Sequence, residues 1–189
     1  MNNFITGSGN CATNTNTGNN APVADAGPNY TIPKSTPFIL EGASTDADND
    51  PVTYCWEQYD KQVATMPPSS SSTSGPAFRS LDPTTSPDRY MPNLNDVVNN
   101  TNNTWEVLAS VTRNYNFRLT VRDNHTNGGC TDDDNMTVSV SGSSGPFVVT
   151  SPNTNVSWPG NSSQTVTWNV ANTTASPVSC STVDIFLSY

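Results

Sequence analysis

Apolar side chains in this chain come in short runs with a period of two, separated by long polar stretches. Tyr115, Phe117, Leu119 and Val121 alternate with Asn116, Arg118, Thr120 and Arg122, the pattern of a half-buried strand. Met136, Val138 and Val140 repeat it, so a hairpin is predicted with a loop from Asp123 to Asn135. Val52, Tyr54 and Trp56 share one face of a further strand. Phe38–Leu40 reads as a buried strand ending at Gly42, and 21–32 as an edge strand divided at Gly27-Pro28. Between 61 and 103 the alternation stops. Pro83, Pro87 and Pro92 forbid a long helix there, and Leu94–Val98 allows one helical turn. Phe78, Leu81, Tyr90, Met91 and Leu94 indicate that this insertion packs against the sheets. Strand character is expected again at Trp105–Val111. After Gly145, four further strands are expected at 147–150, 156–158, 165–170 and 183–187.

Composition narrows the field. Leu, Ile, Val and Phe together number 33, while Ser, Thr and Asn fill 74 of 189 positions, so any core is small. Seven Lys and Arg against sixteen Asp and Glu give a net charge of −9, which excludes a nucleic-acid footprint. No apolar run has the length of a membrane span. A single histidine cannot build a two- or three-histidine zinc site, so zinc is not expected on this chain. Residues 1–20 read as the end of an upstream domain and a polar, extended linker, 21–142 as one β domain, and 146–189 as a second, truncated β module.

Two stretches carry a resemblance. Ala21-Pro22-Val23-Ala24-Asp25-Ala26-Gly27, followed by Glu41–Trp56 with its Asp46-Ala47-Asp48-Asn49-Asp50 turn, resembles the opening of a PKD or cadherin-like immunoglobulin-type domain. Thr120–Asn124 and Thr137–Val140 match the last two strands of such domains; the insertion at 61–103 and Asn49 in place of glycine depart from them. The residues after Gly145 resemble the start of a second immunoglobulin-like accessory module. Taken whole, the chain is similar to the region behind the catalytic domain of secreted bacterial reprolysin-like zinc metalloproteases, with Asn3–Cys11 as the last catalytic-domain helix and its tail. The resemblance implies an all-β fold: an immunoglobulin-like sandwich with a long loop insertion, then a truncated immunoglobulin-like module. It implies a secreted or cell-surface, non-catalytic accessory region, with the upstream catalytic domain as its partner in cis and an extracellular protein or polysaccharide as a further one. A stalk or adhesion module of a bacterial surface protein is the alternative. The His-Glu-x-x-His-x-x-Gly-x-x-His signature is absent, so no catalytic residue carries over.

Acidic residues form the main candidate site. Asp46, Asp48 and Asp50 alternate in one loop, Asp123 ends a strand, and Asp132, Asp133 and Asp134 precede another. In an immunoglobulin-type sandwich these loops lie at one end, where the first strand brings Asp25 and the linker. Converging carboxylates repel unless a cation enters, and hard oxygen ligands favour calcium; the competing reading is a solvated Asx turn. Calcium there would stiffen the joint to the preceding domain and leave the joint after Ser141 alone. Four cysteines allow three pairings. Cys55–Cys130 is the favoured one, with Cys11 and Cys180 bonded outside the chain; free thiols are the other reading. His125 has no nucleophile motif beside it and reads as an exposed loop residue. Tyr59, Tyr90 and Trp158 are the exposed candidates for stacking on a sugar, Trp56 and Trp168 being assigned to cores.

Overall fold

The computed structural model describes residues 16–186. The expected helix at Asn3–Cys11 and the partner of Cys11 lie outside the described residues. Among the described residues the regular structure is almost all β, in several open sheets.

The alternating segments build the largest sheet. Strand β7 (Arg113–Asp123) pairs antiparallel with β8 (Thr131–Ser141) on one side and β5 (Val52–Gln58) on the other. Strand β2 (Tyr30–Pro33) adds to the free edge of β8 and runs parallel to it. One face of this sheet buries Trp56, Tyr115, Phe117, Leu119, Val121, Met136, Val138 and Val140. Over it lie two strand pairs: β1 (Val23–Asp25) with β4 (Ala43–Thr45), and β3 (Phe38–Leu40) with β6 (Arg89–Met91). Leu40, Met91 and Ala26 join the same apolar cluster, so two layers share one core. Gly27, at φ +73°, turns the chain from β1 in one layer to β2 in the other, a backbone state glycine adopts without steric cost. Gly42 allows a close approach of the layers: a Cβ there would meet Leu119 Cδ2 at 2.8 Å.

The insertion packs as expected in part. It contributes β6 and one short helix, α1 (Leu94–Asn99), capped by Asn93 and ended by Asn100 in the left-handed conformation. Phe78 and Met91 are buried, whereas Leu81, Tyr90 and Leu94 face outward. The strand expected at Trp105–Val111 does not form. Only Glu106 makes a bridge, to Phe78, and the stretch buries Glu106 while exposing Trp105. Glu106 is drawn inward by Arg89, at 2.7 Å. The Tyr115 hydroxyl accepts the Ala109 N–H at 2.8 Å and fastens this segment to β7; burial pushes that phenol up to about 12.

The second unit is looser than its sequence suggested. Strands β9 (Val148–Ser151) and β10 (Thr167–Asn169) pair antiparallel, but 156–158 and 183–186 form no strand. Trp168, expected in a core, is half-buried against Phe147. Val156, Ile185 and Phe186 remain exposed. Two strands alone supply too little apolar contact to order their neighbours. This unit is tied to the first where Gly145 N–H donates to Ala171 O (2.7 Å) and Phe147 N–H to Thr36 Oγ1 (3.2 Å).

Candidate metal centre

Three carboxylates meet in the loop between β4 and β5. Asp46, Asp48 and Asp50 each place one carboxylate oxygen within 4.8 Å of the others. Two ligands on opposite sides of one calcium ion stand about that far apart, twice a bond of ~2.4 Å. The loop keeps this shape through Asp46 Oδ1, which accepts the N–H groups of Asp48 (3.0 Å) and Asp50 (2.9 Å). That is the expected Asx turn, and it occupies only one of the two oxygens. Asp46 Oδ2 is buried without a hydrogen-bond partner.

The incoming chain closes over this loop. Asn20 donates its backbone N–H to Asp48 Oδ2 at 2.6 Å and its side-chain Nδ2 to both oxygens of the same carboxylate. Asn19 Nδ2 donates to Asp123 Oδ2 at 3.0 Å and to Gly128 O at 3.2 Å, which leaves Asn19 Oδ1 buried and unpaired. Residues 16–20, expected as free linker, are therefore seated on the acidic end. His125 is not an exposed loop residue either. Its Nδ1 lies 2.7 Å from Asp50 Oδ2, and since a carboxylate only accepts, that nitrogen carries the proton.

Asp123, the last residue of β7, has no accessible surface. Burial pushes its carboxyl up. Hydrogen bonds from Asn19 Nδ2 and from the N–H groups of Cys130 and His125, with the His125 charge, outweigh this and hold it below the usual carboxylate range. The Asn20 bonds hold Asp48 low in the same way. Gly129 leaves the room needed, since a Cβ there would sit 2.8 Å from Asp123 Oδ1. Both carboxylates have folded values below their unfolded ones. Their contribution to docking is thus complete above about pH 4 and lost as pH falls through the folded values. Acidification from about pH 5 to about pH 2 should release 16–20, seen as collapse of the Asn20 amide chemical shift toward its random-coil position. An Asn20 amide unmoved across that range would contradict the assignment.

The other expected ligands lie elsewhere. Strand β8 begins at Thr131, so Asp132, Asp133 and Asp134 belong to the strand and alternate across it. Asp132 Oδ2 accepts Ala24 N–H and Asp134 Oδ2 accepts Ala26 N–H, both at 2.9 Å, latching β1 onto the sheet in place of backbone pairing. Asp133 faces the other way, 3.3 Å from Arg118. Asp25 bonds its own turn, at Gly27 N–H. The metal candidates reduce to Asp46, Asp48 and Asp50, with Asp123 and Asn19 beside them.

The Cys55–Cys130 disulfide is absent: both are free thiols, as is Cys180. Cys55 sits opposite Thr120, while Cys130 O accepts from Asp123 N–H, three residues further along β7. That offset is about 10 Å, beyond the ~7 Å Cα separation a disulfide spans. Cys55 Sγ instead faces Leu81 O. Of the stacking candidates, Tyr59 is taken: Lys61 Nζ and Arg118 Cζ lie 4.5 and 4.3 Å from its ring centre. Tyr90 is open. Trp158 lies in a hollow of the second unit with Val149, Ile185 and Phe186.

Asn19 and Asn20 were not singled out by sequence reasoning, which read His125 only as an exposed loop residue. The available signal was position: two amides directly before the first strand, and the single histidine directly after the strand that ends in Asp123. No described helix is long and apolar enough to cross a membrane. Compared with known proteins, the chain matches no family model, no curated protein and no solved structure.

Proposed function

We propose that this chain is a non-catalytic accessory region of a secreted bacterial zinc metalloprotease. In this reading residues 21–142 are an immunoglobulin-like sandwich of the PKD/cadherin type, and 146–189 open a second such module. The region spaces, stiffens or targets a catalytic domain that precedes it, and works outside the cell or at its surface. The resemblance of the strand and turn motifs supports it, as does the two-layer arrangement of sheets around one core.

One observation carries the mechanical part. Asn19 and Asn20 of the entering segment are bonded to Asp123 and Asp48, and two oxygens, Asp46 Oδ2 and Asn19 Oδ1, are buried beside them with nothing to bond. A buried acceptor without a partner is costly, and a hard divalent cation relieves it for a set of oxygen donors. Calcium held by Asp46, Asp48 and Asp50, with Asn19 as a donor from the linker, would supply charge neutralisation at the joint. The chain's own part is to seat the linker and present the oxygens. The exit to the second unit is fastened separately, at Thr36 and Ala171, so the cation would set the first joint only.

Free calcium at one hundred times its Kd should stabilise the protein by about 2.7 kcal/mol. Thermal melts in millimolar calcium and in chelator read this directly, with Asp46→Asn abolishing the difference. Coincident melts for the wild-type chain would remove calcium from the reading. Turnover of casein by this chain, with or without zinc, would remove the accessory role itself.

A further inference from the structure

The insertion carries two hollows that the acidic end does not explain. One, of about 200 Å³, lies against β5 with Tyr90 at its edge; the other, of about 440 Å³, lies against Trp105. Leu81 and Asn93 line both, so the two adjoin as one groove across the insertion. We propose that this groove binds a linear, uncharged saccharide.

The chemistry of its walls points to that class. One exposed aromatic ring lines each hollow, Tyr90 the first and Trp105 the second. Tyr90 is the middle residue of β6, and because Arg89 and Met91 on either side are buried, its ring is held outward with 46% of the residue exposed. Trp105 keeps 38% exposed, with the Arg79 guanidinium 4.5 Å from its ring centre covering one face. Rigid aromatic surfaces of this kind stack on the apolar faces of sugar rings at small entropic cost. Short polar side chains able to bond hydroxyl groups share the linings: Asp82 and Asp88 in the first hollow, Asn95 and Asp96 in the second. The three carboxylates repel an anionic polymer.

The groove is also built rigidly. Arg89 lines the first hollow and Glu106 the second, and the two meet beneath it at 2.7 Å. Glu106 Oε2 accepts the N–H of Asn93, the residue shared by both halves, at 2.7 Å. A floor fixed before the ligand arrives reduces the ordering cost of binding.

The test uses the whole chain and isothermal titration with cellohexaose, laminarihexaose, xylohexaose and chitohexaose, and with polygalacturonate as the anionic comparison. One or more of the uncharged oligosaccharides should bind, and Tyr90→Ala and Trp105→Ala should each weaken it about tenfold or more. Tyr59→Ala, which lines neither hollow, should leave the affinity unchanged. Tyr90→Ala removes a side chain outside the core, so the result stands even if Trp105→Ala folds poorly. No binding by any uncharged hexamer at millimolar concentration, binding of polygalacturonate alone, or affinity that survives Tyr90→Ala would each overturn the proposal. The inference gives the targeting role a surface but does not depend on calcium. The calcium-dependent melting shift of the same variants reports on the acidic end separately.

Discussion

Replacing Glu106 with alanine should destabilise the protein by about 3–5 kcal/mol, because it leaves a buried guanidinium without its counter-charge. Arg89 and Glu106 are both buried, and they join three parts of the chain. Arg89 Nη1 donates to Trp56 O on β5 at 2.6 Å, Nη2 donates to Glu106 Oε1 at 2.7 Å, and the second Glu106 oxygen takes Asn93 N–H. Arg89 Nε already lacks a partner, and without Glu106 the Nη2 group would keep only the uncharged Arg79 carbonyl oxygen, at 2.5 Å. Urea unfolding measures the loss. Glu106→Gln keeps an acceptor for one of the two bonds and should cost distinctly less than the alanine variant. A Glu106→Ala loss under about 1 kcal/mol would mean that water enters and solvates Arg89.

Phe117→Ala should have an effect of similar size, about 3–5 kcal/mol, by a different route. Phe117 is fully buried at the centre of β7, with the rings of Phe38, Phe78 and Tyr115 at 6.1, 6.0 and 6.0 Å between centroids. These four rings come from the sheet, from the covering layer and from the insertion, so none can shift to fill the space without dragging its own element. A lowering of the melting midpoint by roughly 10–20 °C is expected. A drop of only a few degrees would show that the layers collapse into the cavity.

The strands that bury one face were legible because the period of two survives wherever a side chain has only two choices, core or solvent. Strands β5, β7 and β8 and their order of pairing follow from Val52–Trp56, Tyr115–Val121 and Met136–Val140. Where burial is decided by polar partners, that logic inverts. Glu106 is inside because Arg89 is there, and the strand expected at Trp105–Val111 gives way to a single bridge at Glu106. The aspartates divide by a related rule. Asp132 and Asp134 sit opposite the buried Val121 and Leu119, on the inner face of β8, where only the N–H groups of β1 can satisfy them. Nothing in a run of three aspartates says that the strand has already begun. Asn19 and Asn20 were legible as linker but not as ligands of the acidic end, since amides in a polar run carry no periodic mark. The disulfide failed on register, which counting residues between cysteines does not reveal.

The parallel edge pairing of β2 with β8 has a mechanical consequence. Strand β2 is entered from the N-terminal side, and β8 leaves toward the second unit. Tension drawn through the chain therefore pulls these two strands in opposite directions along their length. Their bonds, from Tyr30 opposite Val138 to Pro33 opposite Ser141, are strained together in shear rather than peeled one at a time. The pairing is thus in the geometry that resists a pull along the polypeptide.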